Sequence, residues 1–202
     1  LDHHFDIRTV TLGINLKDCM DRNLRNFTGR IRKRIIEKGK VLNDFADRLE
    51  HKYGIPITNR RISVTPVSIL LEPISNRAKA SVEIARTLDE AAKKANIDFI
   101  GGYGALVHKG MTAADRDLIE SIPKALSVTE RVCGFLNLAS TRTGINMDAI
   151  VKFTPLLKKL ASGTPSGIGC AKIAVFSNVP EDNPFMAGAH HGIGESDCSL
   201  NI

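Results

Sequence analysis

The sequence predicts an α/β fold built on a parallel sheet, and three observations carry that expectation. Short apolar runs with strand character alternate with longer stretches of helical periodicity along the whole chain. The connections between successive strands are long enough to hold crossover helices, which is the mark of parallel pairing. Each strand-like run also ends in polar residues or glycine, as strands do where a sheet opens toward a ligand. With 202 residues, 43% of them apolar, the chain can bury one sizeable core, so residues 1–202 are expected to form a single domain.

The first strand is expected over Phe5 to Ile14, with Ile7, Val10 and Leu12 as strand formers. Asp21 or Asn23 can cap the next helix, in which Leu24, Phe27, Ile31, Ile35, Leu42, Phe45 and Leu49 lay one apolar stripe up to about Tyr53, where Gly54 and Pro56 stop it. Ile57 to Thr65 reads as a second strand, closed by Pro66. Ser75 opens a helix with a narrow face of small residues, from Ala78 to Ala95, and Asn96 closes it. A short third strand, Ile97 to Ile100, then runs into a glycine turn, Gly101 to Gly104. Thr112 and Asp115 approximate a capping box for a helix that Pro123 should interrupt and that resumes to about Glu130.

Val132 to Leu138 reads as the fourth strand. Asn146 caps a fourth helix, with Ile150, Val151, Leu157 and Leu160 facing inward and Pro155 bending it. Gly163 to Gly169 is expected as a flexible turn and Ala171 to Phe176 as strand five. The final Ser199 to Ile202 reads as an unfinished strand, which suggests a fragment of a larger protein.

Chemistry-bearing residues concentrate in Glu181 to Glu195, directly after strand five. This stretch holds Asp182, Asn183, His190, His191 and Glu195 on a glycine-containing loop. Asp182, His191 and Glu195 are the expected catalytic residues, because carboxylates and imidazoles are the usual proton movers; the competing reading is that they tie the loop down. At the other strand ends, Asn15, Asn137 and Asn183 are expected to orient a ligand. Arg142 is expected to grip an anion with its planar fork, or to form a structural ion pair. Gly101 and Gly102 would let backbone amides approach a ligand, or simply serve a tight turn. No lysine–serine or lysine–threonine pair follows them, so this is no P-loop. His190, His191 and Glu195 include ligand types that suit zinc, but their spacing fits no helical zinc motif, and neither metal nor cofactor is expected.

Bulk properties narrow the classes further. The four cysteines lie far apart with no C-x-x-C pair, so reduced thiols are expected; Cys19 alone would lie at the site. No apolar run approaches the ~18 residues of a membrane span, and a cytoplasmic location is the expectation. The net charge of +6 comes with a basic cluster from Arg22 to Arg61. That cluster lacks interleaved aromatics, so a solvated helix face is favoured over a nucleic-acid surface.

Taken together, these stretches resemble an uncharacterised bacterial and archaeal family, a domain of unknown function grouped with pyruvate formate-lyase-like proteins. The resemblance rests on Asp6 to Ile14, Arg61 to Pro66, Asp98 to Gly102, Ser121 to Pro123, Thr143 to Met147 and Glu181 to Gly188, and spans nearly the whole chain. It implies a parallel half-barrel of the glycyl-radical-enzyme type, this chain being the amino-terminal half of a larger barrel, in a homodimer. His191, not His190, matches the family's single histidine. The glycyl-radical chemistry does not carry over, because neither the radical glycine motif nor the loop cysteine has a match here. The expected function is an enzyme acting without a glycyl radical on a small anionic metabolite at the carboxyl ends of the parallel strands. The alternatives are a non-catalytic metabolite-binding regulator and an RNA-associated protein.

Overall fold

The computed structural model describes residues 6–202. Seven strands form one sheet: β1 (Val10–Ile14), β2 (Arg60–Val64), β3 (Phe99–Leu106), β4 (Val132–Ser140), β5 (Gly144–Ile145), β6 (Ile173–Ser177) and β7 (Cys198–Asn201). β1, β2, β3, β4 and β6 are parallel and lie side by side in chain order. The short β5 folds back antiparallel on the end of β4, and β7 pairs antiparallel with the outer edge of β1. The sheet does not close. The expected start of the first strand at Phe5 lies outside the described residues; Ile7 makes only an isolated parallel bridge to Ile57 before β1 proper begins at Val10.

The helices α1 (Leu24–Tyr53), α2 (Val67–Leu70), α3 (Arg77–Lys94), α4 (Ala113–Ser127) and α5 (Met147–Ser162) connect these strands. The four long ones pack as successive neighbours, α1 on α3, α3 on α4 and α4 on α5. Their caps follow directly from the sequence. The Asn23 side chain accepts from the amides of Arg25 and Asn26, and Gly54 ends α1 at φ 66°, a conformation that costs glycine nothing. Thr112 and Asp115 complete a full capping box on α4, and Asn146 caps α5.

Strand alternation divides the sheet into two faces. Val10, Ile14, Ile62, Val64, Ile100, Val132 and Leu136 face the helices and are fully buried. Gly39 sits on α1 where a side chain would meet Ala95 and Ile97, so its lack of one lets that helix approach closely. The opposite face carries Thr11, Gly13, Ser63, Gly101, Phe135 and Asn137 and is crossed by the chain's own residues 183–191.

Five expectations are corrected. Gly101 to Gly104 is no turn: β3 runs through it to Leu106, with a bulge at Gly102 (φ 111°) shifting its register against β4. Pro123 does not interrupt α4, which runs unbroken to Ser127 because Leu118, Ile119, Ile122 and Leu126 on the same helix are all buried in the core. The helix ends before Glu130, since Thr129 Oγ donates to the Ala125 carbonyl and Asp89 accepts from the Glu130 and Arg131 amides (2.8 and 2.7 Å). Val151 points outward, because the buried stripe of α5 is Ala149, Phe153 and Leu160. Gly163 to Gly169 is partly wound rather than open, since Pro165–Lys172 forms 3-10 turns.

Candidate functional site

A cavity of about 500 Å³ opens at the carboxyl ends of β3 and β4, lined by His108, Lys109, Asn137, Glu181, Ile193 and Gly194 among others. Two local features build it. After β3, residues 107–110 turn tightly, Gly110 N–H donating to the Val107 carbonyl, so that His108 and Lys109 are presented beside the end of β4. After β6, Asn178 adopts φ 56° and its Oδ1 accepts from Thr141 N–H (2.8 Å). The chain therefore turns back over the helix-free face, and Val179 to Glu181 form the opposite wall. Lys17 Nζ donates to the Ile193 carbonyl (2.7 Å), anchoring that wall to the end of β1.

Asn137 is buried and organises the pocket. With its amide assigned so that Nδ2 donates to the Phe176 and Ala139 carbonyls (3.1 Å each), Oδ1 accepts from His108 Nδ1 at 3.0 Å. That bond sets the imidazole's tautomer, with the proton on Nδ1 and the lone pair on Nε2. Burial, and then the Lys109 charge, hold the His108 pKa below the ordinary histidine value. At pH 7 the ring is therefore neutral and suited to accept a proton.

Residues 183–191 reach across the sheet like a strap. Asn183 and His190 exchange backbone hydrogen bonds (3.0 and 2.8 Å), Asn183 Nδ2 donates to the Gly188 carbonyl, and its Oδ1 accepts from Phe185 N–H. Asn183 is thus spent on holding the strap's own shape. His190 is fully buried and stacks on Phe135 with centroids 4.3 Å apart. His191 is also fully buried. Its amide donates to the Val64 carbonyl, its Nε2 donates to the Ser196 carbonyl (2.7 Å), and its Nδ1 lies 3.4 Å from Ser199 Oγ and 3.5 Å from Asp182 Oδ1. These bonds join the strap to β2 and β7, which is the loop-tying role weighed against catalysis.

The other expected site residues are spread more widely. Glu195 is exposed just past the cavity wall, and Arg142 is exposed in the turn between β4 and β5 without an ion-pair partner among the described residues. Asn15 Oδ1 accepts from Lys17 N–H (3.0 Å) at the end of β1. Gly101 lies under the strap, where a side chain would press into the Ala189 backbone, and Gly102 packs against the Val64 carbonyl. Of the expected ligand residues, the cavity itself takes Asn137. The thiol of Cys19, raised to about 11 by burial and by Asp18, is not poised to react.

Reading the third strand as ending at Ile100 hid His108 and Lys109. Tyr103, Ala105 and Val107 continue its alternation, and following that pattern through the glycines leads to both residues.

The family model described as Uncharacterised ACR (DUF711) matches residues 1–202. The chain belongs to this family. A UPF0210 protein of Methanosarcina barkeri is 53% identical over 201 residues, covering 98% of this chain and 44% of the relative. Those of Pelotomaculum thermopropionicum (51% identity, 100% of this chain, 44% of the relative) and Methanocaldococcus jannaschii (49%, 98% and 45%) are similar to the same extent. The DUF711 chain therefore spans less than half the length of these curated relatives. No helix among its described residues is long and apolar enough to cross a membrane.

The basic run on α1 is extensively paired. Arg30 bonds Asp21, Arg32 bonds Glu90, Arg34 bonds Asp18, and Lys33 faces Glu37 one turn on. Nucleic-acid phosphates would have to displace these carboxylates.

Proposed function

We propose that the DUF711 chain contributes the binding and proton-transfer site of an enzyme acting on a small anionic metabolite, without glycyl-radical chemistry. The observation that carries this reading is the cavity at the carboxyl ends of β3 and β4, where an ammonium, a neutral imidazole with a fixed tautomer and a carboxylate meet. Lys109 pairs with the anion. His108 Nε2 accepts a proton from the bound substrate, and the Asn137 oxygen stabilises the imidazolium that results. The imidazolium returns that proton to complete the turnover, and the Glu181 carboxylate, on the opposite wall, accepts a hydrogen bond from the substrate. Glu195, exposed next to the Ile193–Gly194 wall, and Arg142, exposed in the turn after β4, remain available to ligand groups that project from the cavity. Asp182 acts through His191 to keep the wall in place. The metabolite is small because the cavity is, and a volume of this order is usual for metabolite sites.

The test uses the full-length protein and a panel of small carboxylates and phosphate esters, followed by thermal shift and by turnover. Lys109→Ala is expected to weaken binding about tenfold or more, the loss typical of a charge-assisted hydrogen bond. His108→Ala is expected to keep binding and lose turnover. Binding without turnover in the unmodified protein would favour the regulator, and no binding of any panel member would overturn the site.

A further inference from the structure

At the other end of the strands, on the same helix-free face, a second cavity of about 390 Å³ lies between the starts of β2, β3 and β4 and the strap. Its walls are Phe99, Ile168, Met186 and Ala187, with Cys133 on its floor. Arg61 is its distinctive feature. Among the described residues the Arg61 guanidinium has no hydrogen-bond or ion-pair partner, and its Nε is buried with its donor unsatisfied. Buried donors are almost always paired, so an orphaned one in a cavity is where a missing acceptor belongs. The guanidinium rests 5.7 Å from the centroid of the Phe99 ring, which holds the fork beside an apolar wall.

We propose that Arg61 anchors a second binding site, which takes a small monocarboxylate with a short aliphatic body. The single charge follows from the cations available. Lys172, the other cation lining the cavity, turns two of its three N–H donors to the Leu126 and Thr129 carbonyls (2.5 Å each), so it has little left with which to bind a second anionic group. Glu130 at the rim, paired with Lys93 at 2.9 Å, repels a second negative charge. A dianionic phosphate would lack donors here, whereas one carboxylate matches one guanidinium fork. The aliphatic body follows from the walls, and the Cys133 thiol, pushed up to about 11 by burial, stays neutral and serves as one of them. This site shares no lining residue with the His108 cavity and does not depend on the function proposed there.

Isobutyrate and its neutral isostere isobutyramide discriminate the idea when titrated into the full-length protein by calorimetry. With about six non-hydrogen atoms, isobutyrate is a ligand of a size for which millimolar affinity is within reach. Saturable binding of the acid and none of the amide is expected, weakened about tenfold or more in Arg61→Gln by loss of the charged fork. Should that variant fold poorly, Ile168→Glu adds a repelling charge at the cavity mouth, at a residue 60% exposed, and is expected to weaken binding to a similar extent. Lys109→Ala leaves this affinity unchanged, which separates the two sites. Equal binding of acid and amide, indifference to both variants, or no saturable binding at all would overturn the proposal. So would a full-length structure in which a carboxylate of the protein itself pairs with Arg61.

Discussion

Asn137 and the paired histidines show how far residue chemistry alone leads. Asn137 was legible as a strand-end amide, and it does fix the tautomer of a neighbouring histidine. Two adjacent histidines on a polar loop read as chemistry, yet both are fully buried, because the glycines opposite them let the loop sink onto the sheet. Nothing local in the sequence distinguishes a buried imidazole from an exposed one. Burial gives His190 a measurable signature, since its pKa is lowered chiefly by desolvation, against the opposing pull of the Gly188 carbonyl and Asp182. A histidine whose folded pKa is depressed binds its proton first in the unfolded chain. Stability from this residue is therefore full above the unfolded value of about 6.5 and declines as pH falls below it. His190→Phe, which preserves a ring for stacking on Phe135, is expected to flatten the loss of stability between about pH 6.5 and 5. Denaturant titrations at several pH values would read this, and an unchanged slope would mean that His190 titrates alike in both states.

Elements were the most legible scale, because their ends are written in local chemistry. Asn23, Gly54, Thr112 with Asp115, and Asn146 mark helix ends where side chains or positive φ satisfy the backbone, and each does so in the structure. Pro123 and the glycines of β3 misled for the same reason: their local preference is overridden by packing. A proline in the first helix turns would be expected, but here buried neighbours on the same helix outweigh the lost hydrogen bond. Gly101 and Gly104 occur within a strand not to turn it but to admit what lies on it, the Ala189 backbone in one case and the Phe135 ring in the other. Gly101→Ala is accordingly expected to lift the strap rather than break β3. It should cost about 1–3 kcal/mol, the range for overpacking a tight site, and expose residues 183–191 to limited proteolysis while the parallel strands stay protected. A variant as stable and as resistant as the parent would show that the strap accommodates the methyl group.

At the scale of the whole molecule, the helices guard one face and a single crossing segment guards the other. The alternation of strands and helices made the parallel sheet readable, but the strap was not, since its fit depends on glycines and polar groups brought together from β1, β2, β3 and β4. The two faces differ in how they are held. The helix side is a continuous apolar core, while the strap is tied by a few bonds, among them His191 N–H to the Val64 carbonyl and Thr11 Oγ1 to the Pro184 carbonyl. Segments with few buried apolar contacts open at lower free energy than the core. The amides of His190 and His191 are therefore expected to exchange hydrogen through a partial opening, well before those of Ile62 and Ile100, which are released only by global unfolding. The segment that contains the strap also lines both cavities, through Glu181, Ile193 and Gly194 at one end of the strands and Met186 and Ala187 at the other. A ligand that binds only the closed form at either site raises the cost of that opening and so slows exchange at His190 and His191. Isobutyrate should accordingly slow these two amides in the parent protein and fail to do so in Arg61→Gln; Ile62 and Ile100, which exchange only from an unfolded chain that cannot bind either, should slow by the same factor. If His190 and His191 exchange as slowly as the central strands, the strap is part of the cooperative core and the two cavities have no shared opening through which to communicate.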